Sequence, residues 1–258
     1  MRQIAKRLAT RILFAGRSKA LYRLCKRYVN ACDNDNLHDI ICNGEMRLLR
    51  EVLPRAKTAF DVGANVGLWT RAALQANPQL AVHCFEPSKT TFEALLANRF
   101  PAQVVCNQFA LGERVGRTAL YTAESGSEAN SLHCREAVGC RRSRTEDVVV
   151  RTLDEYCSER AIDQIDFLKI DVEGNELAVL QGSREMLEGG KISSIQFEYG
   201  GTYLDARILL KDVWDYIANV APGYRFYKLY PNGPKLVPTY RQSLETFQLS
   251  NWVIRRAA

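Results

Sequence analysis

The sequence FDVGANVG at residues 60–67 combines the residue types that a cofactor-binding turn needs. The short apolar segment 59–62 predicts a strand, and the pattern of 68–76 predicts a helix directly after it. Glycine adopts positive φ and leaves no side chain between the backbone and a ligand. We therefore interpret Gly63 and Gly67 as part of a binding turn, although glycine turns after strands also occur without a ligand.

An acid ends the next predicted strand, 19 residues beyond the second glycine. This residue, Glu86, follows the apolar segment 82–85, and an acid about 20 residues past such a turn can accept both hydrogen bonds of a ribose diol. The turn lacks the third glycine of the fingerprint G-x-G-x-x-G, which binds a pyrophosphate. The spacing therefore favours a nucleoside ligand without pyrophosphate, namely S-adenosylmethionine. The alternative for Glu86 is a solvated carboxylate at a strand end.

Two further acids, Asp171 and Glu173, follow the predicted strand 166–170 in the sequence FLKIDVEGNE. Acids directly after an apolar strand are unfavourable unless they are solvated, paired or used in a site. We expect a site role for both of them. For Glu176 we prefer a structural role, because an acid stabilises the N-terminus of the helix that is predicted to follow.

Strands alternate with helices along the chain, which predicts a mainly parallel sheet in a doubly wound α/β fold. The predicted strands cover 59–62, 82–85, 104–107, 166–170, 195–198, 226–230 and 252–254. The predicted helices cover 45–53, 68–76, 88–98, 177–187 and 208–218. Two more segments, 117–121 and 148–151, are expected as edge or hairpin strands around the polar segment 124–147. Ligands of such sheets bind at the carboxyl ends of the strands, where the acids above lie.

Length and composition indicate one enzyme-sized domain, since 258 residues with 47% hydrophobic content can bury a substantial core. The eight cysteines form no CxxC pair and no Cys/His cluster, which favours a reducing, cytoplasmic location over a disulfide scaffold. We expect neither a signal peptide nor a membrane-spanning segment, because no continuous apolar run is long enough.

Positive charge is concentrated in the first residues of the chain. Residues 1–30 contain nine Lys and Arg and no acid, so the net charge of +6 becomes −3 for residues 31–258. Apolar residues recur there at helical spacing, and we divide the chain into a basic amphipathic helical extension, 1–40, and a catalytic domain, 41–258. The extension could lie on an anionic inner membrane surface, pack on the domain, act as a mitochondrial-type presequence or bind a partner. The net-negative domain argues against a nucleic-acid surface.

Four sequence blocks together resemble the FkbM family of S-adenosylmethionine-dependent methyltransferases, namely FDVGANVG, FEPS, NQFALG and FLKIDVEGNE. The segments RTLDEY and QFEYG are also similar to family segments, and the resemblance covers roughly residues 56–200. It implies the Rossmann-like, seven-stranded class I methyltransferase sheet, mostly parallel, with helices on both faces and residues 251–254 as an antiparallel strand. The reaction that it implies is O-methylation of a hydroxyl on a sugar, a glycan or a specialised metabolite.

The resemblance also implies roles for individual residues. Around the methionine part of the cofactor would lie Asp61, Gly63, Asn65 and Gly67, with Glu86 at the ribose. Bordering the adenine would be Asn107, Gln108 and Ala110, with either Asn107 or Gln108 in contact with the base. Asp171 would sit beside the sulfonium, where a carboxylate offsets the positive charge.

Methyl transfer to a hydroxyl requires a base for the proton, and a carboxylate serves when burial raises its pKa toward neutrality. The candidates at the carboxyl ends of adjacent predicted strands are Asp171, Glu173 and Glu198. His133 is a further candidate, within the polar segment 124–147, which we expect to act as a mobile acceptor lid. The arginines of this segment could bind an anionic acceptor.

Two other functions are compatible with the sequence. Asp171 and Glu173 could hold Mg²⁺ in a metal-assisted O-methyltransferase, but no third carboxylate or Asn is suitably spaced, so we predict no metal. A membrane-recruited binding protein could keep the cofactor fold without the activity. Methylation of nucleic-acid amino groups or of cytosine C5 is not indicated, because the chain contains neither an Asn/Asp-Pro-Pro-aromatic block nor a Pro-Cys pair.

Overall fold

The computed structural model describes residues 2–7, 18–122, 130–133 and 144–256. Its strands are β1 (Thr58–Val62), β2 (Ala81–Phe85), β3 (Val104–Asn107), β4 (Ala110–Leu111), β5 (Gly116–Thr122), β6 (Arg144–Arg151), β7 (Ile165–Ile170), β8 (Ile192–Tyr199), β9 (Tyr224–Lys228), β10 (Lys235–Val237) and β11 (Ser250–Arg256). Its α-helices are α1 (Lys19–Asp33), α2 (Glu45–Val52), α3 (Leu68–Ala76), α4 (Lys89–Leu96), α5 (Leu153–Glu159), α6 (Glu176–Gln181), α7 (Arg184–Glu188), α8 (Thr202–Ala206) and α9 (Leu210–Val220). Residues 2–7 are also helical, and 3₁₀ turns cover Leu53–Arg55 and Gln242–Leu244.

The main sheet has the strand order β10-β9-β11-β8-β7-β1-β2-β3. The run from β8 to β3 is parallel, and β11 lies antiparallel between β8 and β9. Seven of these strands form the predicted doubly wound Rossmann-like sheet, which is therefore confirmed together with its antiparallel strand near residue 251. Strand β10 adds an eighth, edge strand to the sheet, and its three residues pair with β9.

Two hydrophobic cores lie on the two faces of the main sheet, because alternate residues of a strand point to opposite sides. On one face, Phe60 and Val62 of β1 pack with apolar residues of α5, α6, α7 and α9. On the other face, Ala59 packs with residues of α2, α3 and α4. Helices thus cover both faces, as predicted. Asp61 shares the face of Ala59, at the carboxyl end of β1.

A second, three-stranded sheet has the order β4-β6-β5 and includes the predicted hairpin of β5 and β6. The predicted lid lies between these two strands, and most of it falls outside the described residues. Within the described part, Ser131 and Tyr121 exchange two backbone hydrogen bonds of 2.8 and 3.1 Å. This bridge attaches residues 130–133 to the edge of β5.

The predicted helix 177–187 is in fact two helices, α6 and α7, because the chain bends at Gly182 and Ser183. A Cβ at Gly182 would lie 2.0 Å from the carbonyl oxygen of Gly112, so the backbone passes directly against a neighbouring loop. The strand predicted at 226–230 begins two residues earlier, as β9. These shifts do not change the order of the elements.

Helix α1 ends at Asp33, and the residues that follow are fixed to the domain. Asn34 donates two side-chain hydrogen bonds to backbone carbonyl oxygens of the domain, at 2.8 and 3.0 Å. Asp35 forms an ion pair with Lys228 at 2.6 Å. We therefore propose that the basic extension ends at Asp33 and that the catalytic domain includes residues 34–40.

No helix in the described ranges is long and apolar enough to cross a bilayer. The free cysteines among the described residues are Cys25, Cys32, Cys42, Cys84, Cys106 and Cys157. A cytoplasmic location, inferred from the cysteine pattern, stays a prediction.

Candidate active site

A cavity of about 630 Å³ opens at the carboxyl ends of β1, β2, β7 and β8, where a doubly wound sheet binds its ligands. This volume is in the range of small-molecule sites. The strand order places Glu86, which follows β2, on one side of the β1 turn. Asp171, which follows β7, and Glu198 in β8 lie on the other side. The cavity therefore has carboxylates on both sides of a central turn.

The turn after β1 is held by contacts within the protein. Gly63 and Ala64 donate backbone hydrogen bonds to the carbonyl oxygen of Phe85, each at 3.0 Å. Gly63 has a φ of 78°, and a Cβ there would lie 1.8 Å from the carbonyl oxygen of Asp171. Only glycine therefore lets the turn and the end of β7 come this close. Gly63 and Asn65 both line the cavity, and their contact with a cofactor stays a prediction.

Glu86 is almost fully buried in the cavity wall, with 6% of its surface exposed. Its Oε2 accepts a hydrogen bond from the backbone N–H of Asn65 at 3.1 Å, and its Oε1 accepts one from Ser88 at 3.0 Å. These two amides fix the orientation of the carboxyl group. Burial raises the pKa of Glu86 to about 7, although both hydrogen bonds oppose the shift. Each oxygen keeps a lone pair with which it can accept a ligand hydroxyl.

Four residues that the resemblance assigns to the cofactor lie outside the residues that line the cavity, namely Asp61, which is described below, Gly67, Asn107 and Gln108. Gly67 begins α3 with a φ of 82°, and a Cβ there would lie 2.8 Å from a neighbouring phenyl ring. Asn107 donates through Nδ2 to a β2 carbonyl oxygen at 3.0 Å, and Gln108 is exposed. Ala110 does line the cavity, beside Leu111. The structure therefore gives Gly67 and Asn107 packing contacts, whereas Ala110 and Leu111 offer an apolar surface for a base.

Lys169 joins the carboxylates of two neighbouring strands in the middle of the sheet. Its Nζ lies 3.3 Å from Oδ1 of Asp61 and 3.2 Å from Oδ2 of Asp171. Burial alone would lower the pKa of Lys169, which is 7% exposed. The carboxylates of Asp61, Asp171 and Glu45 outweigh this effect, and the pKa is raised. The ammonium group is therefore charged and ties the β1 acid to the β7 acid.

Asp61 is not among the residues that line the cavity, and its side chain is completely buried. Its Oδ2 accepts a hydrogen bond from Thr70 Oγ1 on α3 at 2.7 Å, and Oδ1 faces Lys169. Asp61 therefore contacts the cavity only indirectly, by holding the ammonium group of Lys169, whose side chain is part of the wall. The direct contact with the cofactor that the resemblance implies for Asp61 stays a prediction.

The candidate bases Asp171, Glu173 and Glu198 come together at one side of the cavity. One carboxylate oxygen from each lies within 4.8 Å of the others, a spacing that also suits a metal ion. The pKa of Glu198 is raised well above its usual value by burial, and by repulsion from Asp171 and Glu173. A metal site at Asp171 and Glu173 would need a third ligand, which spacing along the sequence did not indicate. Glu198 is placed to be that third carboxylate. Strand pairing between β7 and β8 explains the convergence.

The loop between β7 and α6 is shaped by Glu176. Its carboxyl group is buried and accepts backbone hydrogen bonds from Val172 and Gly174, both at 3.1 Å. Burial raises the pKa of Glu176 to about 8. Within this loop Glu173 adopts a φ of 56°, and its carbonyl oxygen accepts a hydrogen bond from Ser131 at 2.7 Å. These contacts support the structural role predicted for Glu176.

Glu45 at the start of α2 also lines the cavity, and in the sequence it is marked only as an acid at a helix start. Its carboxylate accepts hydrogen bonds of 2.6 Å from Asn43 Nδ2 and from Gln196 Nε2. Burial raises the pKa of Glu45, although these bonds oppose the effect. The residues just before α2, including Leu37 and His38, complete this part of the wall.

His133 is not among the residues that line the cavity, although Ser131 beside it is. Burial lowers the pKa of His133, while a hydrogen bond with Asn175 and the charge of Asp205 oppose the shift. A role as the base therefore stays a prediction. The predicted lid residues 124–129 and 134–143, including the arginines at 135, 141 and 142, lie outside the described residues.

The groups in the cavity wall fit S-adenosylmethionine. A ribose diol, an amino group and a sulfonium all favour contact with carboxylates, which the wall supplies on both sides of the β1 turn. The wall also contains Trp69, whose buried indole Nε1 has no hydrogen-bond partner within the described residues. Glu86 would hold the ribose, Ala110 and Leu111 the base, and Asp171 would face the sulfonium.

Proteins with similar sequences are methyltransferases. A family model described as "Methyltransferase FkbM domain" matches residues 61–226. The chain is 26% identical over 187 residues to 2-O-methyltransferase NoeI of Sinorhizobium fredii. The aligned region covers 67% of this chain and 74% of NoeI. It is 28% identical over 171 residues to the hexuronic acid methyltransferase AglP of Haloferax volcanii, covering 65% of this chain and 66% of AglP.

A third relative is the 31-O-demethyl-FK506 methyltransferase FkbM of Streptomyces tacrolimicus. It is 34% identical over 151 residues, covering 48% of this chain and 58% of that protein. The chain thus spans about three quarters of NoeI, but less than two thirds of AglP and FkbM.

Proposed function

Because the chain belongs to the FkbM family of S-adenosylmethionine-dependent methyltransferases, we propose that it methylates a hydroxyl of a sugar, a glycan or a specialised metabolite, with a carboxylate as the general base. The names of NoeI and FkbM specify O-methylation, and that of AglP specifies a hexuronic acid. The observation that carries the proposal is the cluster of Asp171, Glu173 and Glu198 beside the cofactor turn. Because the chain belongs to a family of enzymes, we favour catalysis over the alternative of a non-catalytic binding protein.

The chain's own residues divide the work of the transfer. When bound, S-adenosylmethionine supplies an electrophilic methyl group on a sulfonium. Asp171, paired with Lys169, holds negative charge in the wall and orients the acceptor. The cavity residues align the hydroxyl oxygen with the methyl carbon, which is the main requirement of such a transfer.

Glu198 is the favoured base among the three carboxylates. A base works best when its pKa is close to the working pH, and the pKa of Glu198 is raised well above that of an ordinary glutamate. Its carboxylate would take the proton from the acceptor hydroxyl as the oxygen bonds to the methyl carbon and the bond from that carbon to sulfur breaks, which leaves S-adenosylhomocysteine. Since the three acids interact strongly, their titration belongs to the cluster as a whole.

The test is release of S-adenosylhomocysteine in the presence of sugars, glycans and hydroxylated metabolites, each compared with a reaction that lacks an acceptor. We expect acceptor-dependent release and a product in which NMR places the new methyl group on oxygen. Glu198→Gln should lower kcat at least about 100-fold, the usual contribution of a general base, while the affinity for S-adenosylmethionine is retained.

The matched control is Glu93→Gln, which removes an exposed carboxylate from α4 and should leave kcat unchanged. Transfer of the methyl group to nitrogen or carbon would contradict the proposal. So would a Glu198→Gln enzyme with the wild-type kcat and pH profile.

A second candidate function, metal-assisted O-methylation, is favoured by the spacing of the same three carboxylates. Three carboxylate oxygens within 4.8 Å of one another can coordinate Mg²⁺ or Mn²⁺, which would lower the pKa of an acceptor hydroxyl. Chelation with EDTA should then abolish activity, and added Mg²⁺ should restore it. Binding of Mn²⁺, followed by electron paramagnetic resonance, should be lost in Glu173→Gln. Full activity in EDTA would favour the metal-free base.

A further inference from the structure

Helix α1 stands apart from the domain with its apolar side chains in solvent. None of its residues is buried, and the exposed fractions reach 52% for Leu21, 64% for Leu24 and 71% for Tyr28. A helix packed on the domain would bury such a stripe. For α1, the part of the basic extension from Lys19 to Asp33, the structure therefore speaks against a helix docked on its own domain.

The residues of α1 are divided into an apolar face and a basic face. At 100° per residue, Leu21, Leu24 and Tyr28 fall within one narrow sector, together with Cys25 and Cys32. The opposite face carries Lys19, Arg23, Lys26 and Arg27. No acid precedes Asp33 in the helix, so the basic face has no internal partner.

The junction after α1 fixes the end of the helix close to the cavity. Asn36 accepts and donates hydrogen bonds with the segment around Leu249, at 2.7 Å between Asn36 N and Leu249 O. The cavity wall begins at Leu37, four residues beyond the end of α1, followed by His38 and Ile40. Four residues span at most about 14 Å, so the end of α1 and the cavity rim stay close to each other.

We propose that α1 binds to an anionic lipid surface and holds this rim of the cavity at the membrane. Basic amphipathic helices lie in the interface with their apolar side chains among the acyl chains and with Lys and Arg at the headgroups. The charge of the basic face complements anionic lipid and repels a second copy of the same helix. A nucleic acid would neutralise the basic face and leave the apolar stripe in water.

The position of α1 also bears on which acceptor the enzyme would use, and this point rests on the methyltransferase function proposed above. A cavity rim beside the bilayer favours a hydroxyl carried on a lipid-anchored glycan or headgroup over one in free solution. Vesicle binding is measured without any acceptor or methyl transfer. A protein that does not bind vesicles could therefore still be a methyltransferase, so the two proposals are tested separately.

The experiment is flotation of the full chain with phosphatidylcholine vesicles, with and without phosphatidylglycerol. We expect binding only when the anionic lipid is present, and release at high salt because the Debye length shortens. Arg23→Glu/Lys26→Glu should weaken binding at least about tenfold, since each cation near an anionic surface contributes substantially. Leu21→Asp/Leu24→Asp should abolish it.

Matched controls separate the helix from the charge of the domain. Arg114→Glu/Lys191→Glu reverses the same number of exposed charges on the domain and should bind as wild type does. All variants should keep the wild-type thermal midpoint, because the exposed side chains of α1 support no core. Absence of binding to the anionic vesicles would overturn the proposal, as would binding that survives Leu21→Asp/Leu24→Asp. If the protein is a dimer in solution and both α1 variants are monomers, a second copy of the chain binds the apolar face of α1, and the lipid proposal is wrong.

Discussion

The affinity for S-adenosylmethionine should fall as the pH is lowered through 7, because the ribose diol requires the ionised form of Glu86. Burial raises the pKa of this carboxyl to about 7, and repulsion from Asp61 and Glu146 adds to the shift. A carboxylate accepts hydrogen bonds at both oxygens, whereas the protonated form loses acceptor capacity. Binding of the diol should therefore favour the ionised form and release a proton from the fraction of molecules that is protonated.

The magnitude follows from the pKa. At pH 6 about one tenth of the molecules carry an ionised Glu86, and at pH 8 about nine tenths do. If only the ionised form binds, affinity should be about tenfold weaker at pH 6 than at pH 8, or about 1.4 kcal/mol. Glu86→Gln should bind about 30-fold more weakly at pH 8, since a hydrogen bond to a charged group contributes about 2 kcal/mol.

The assay is calorimetric titration with S-adenosylhomocysteine at pH 6, 7 and 8, in buffers with different ionisation enthalpies. The ligand's own titration is common to both proteins, so the difference between wild type and Glu86→Gln isolates the contribution of Glu86. Glu93→Gln is the control for removal of a carboxylate. Equal pH dependence in wild type and Glu86→Gln would refute the assignment of Glu86 to the diol.

Three further predictions concern stability. Lys169→Met should lower the free energy of unfolding in urea by about 3 kcal/mol, because it leaves the buried Asp61 without its ion pair; wild-type stability in this variant would contradict the bridge. Gly63→Ala should lower it by at least about 2 kcal/mol, because the added Cβ meets the Asp171 carbonyl oxygen at 1.8 Å, and an unchanged urea midpoint would refute the close approach. The folded-state pKa of Glu176 is raised to about 8, so its contribution to stability should be lost as the pH rises from about 4.5 to about 8. Thermal midpoints across this range should fall less steeply in Glu176→Gln than in wild type, and parallel curves would exclude Glu176 as the source.

Much of the frame that carries the site follows from local sequence signals. Apolar segments of strand length, each followed by a helical pattern, predicted β1, β2, β7 and β8 in a parallel sheet. Acids just after such strands must lie on one edge of that sheet, which is why Glu86, Asp171 and Glu198 could be assigned to a common site. Turn glycines are equally visible, since a glycine that bends a strand into a helix has few substitutes.

Contacts that depend on tertiary packing could not be predicted in the same way. Glu45 reaches the cavity through a hydrogen bond with Gln196, 151 residues away, and in the sequence it resembles any acid at a helix start. Residue type also does not reveal packing contacts. Gly67 lies against a phenyl ring and Asn107 donates to a β2 carbonyl oxygen, and the contact of both residues with the cofactor stays a prediction. The close approach of the Glu198 carboxylate to Asp171 and Glu173, which would let the three share a metal ion, depends on the pairing of β7 with β8, and spacing along the chain does not encode it.

The most direct test of the central claim is a crystal structure of the chain with S-adenosylhomocysteine. We predict that the ribose hydroxyls lie within hydrogen-bond distance of the Glu86 carboxylate and that the adenine packs on Ala110 and Leu111. The sulfur should face the cluster of Asp171, Glu173 and Glu198, where the acceptor hydroxyl would be deprotonated. A ligand bound outside this cavity, or one whose ribose does not contact Glu86, would contradict the account.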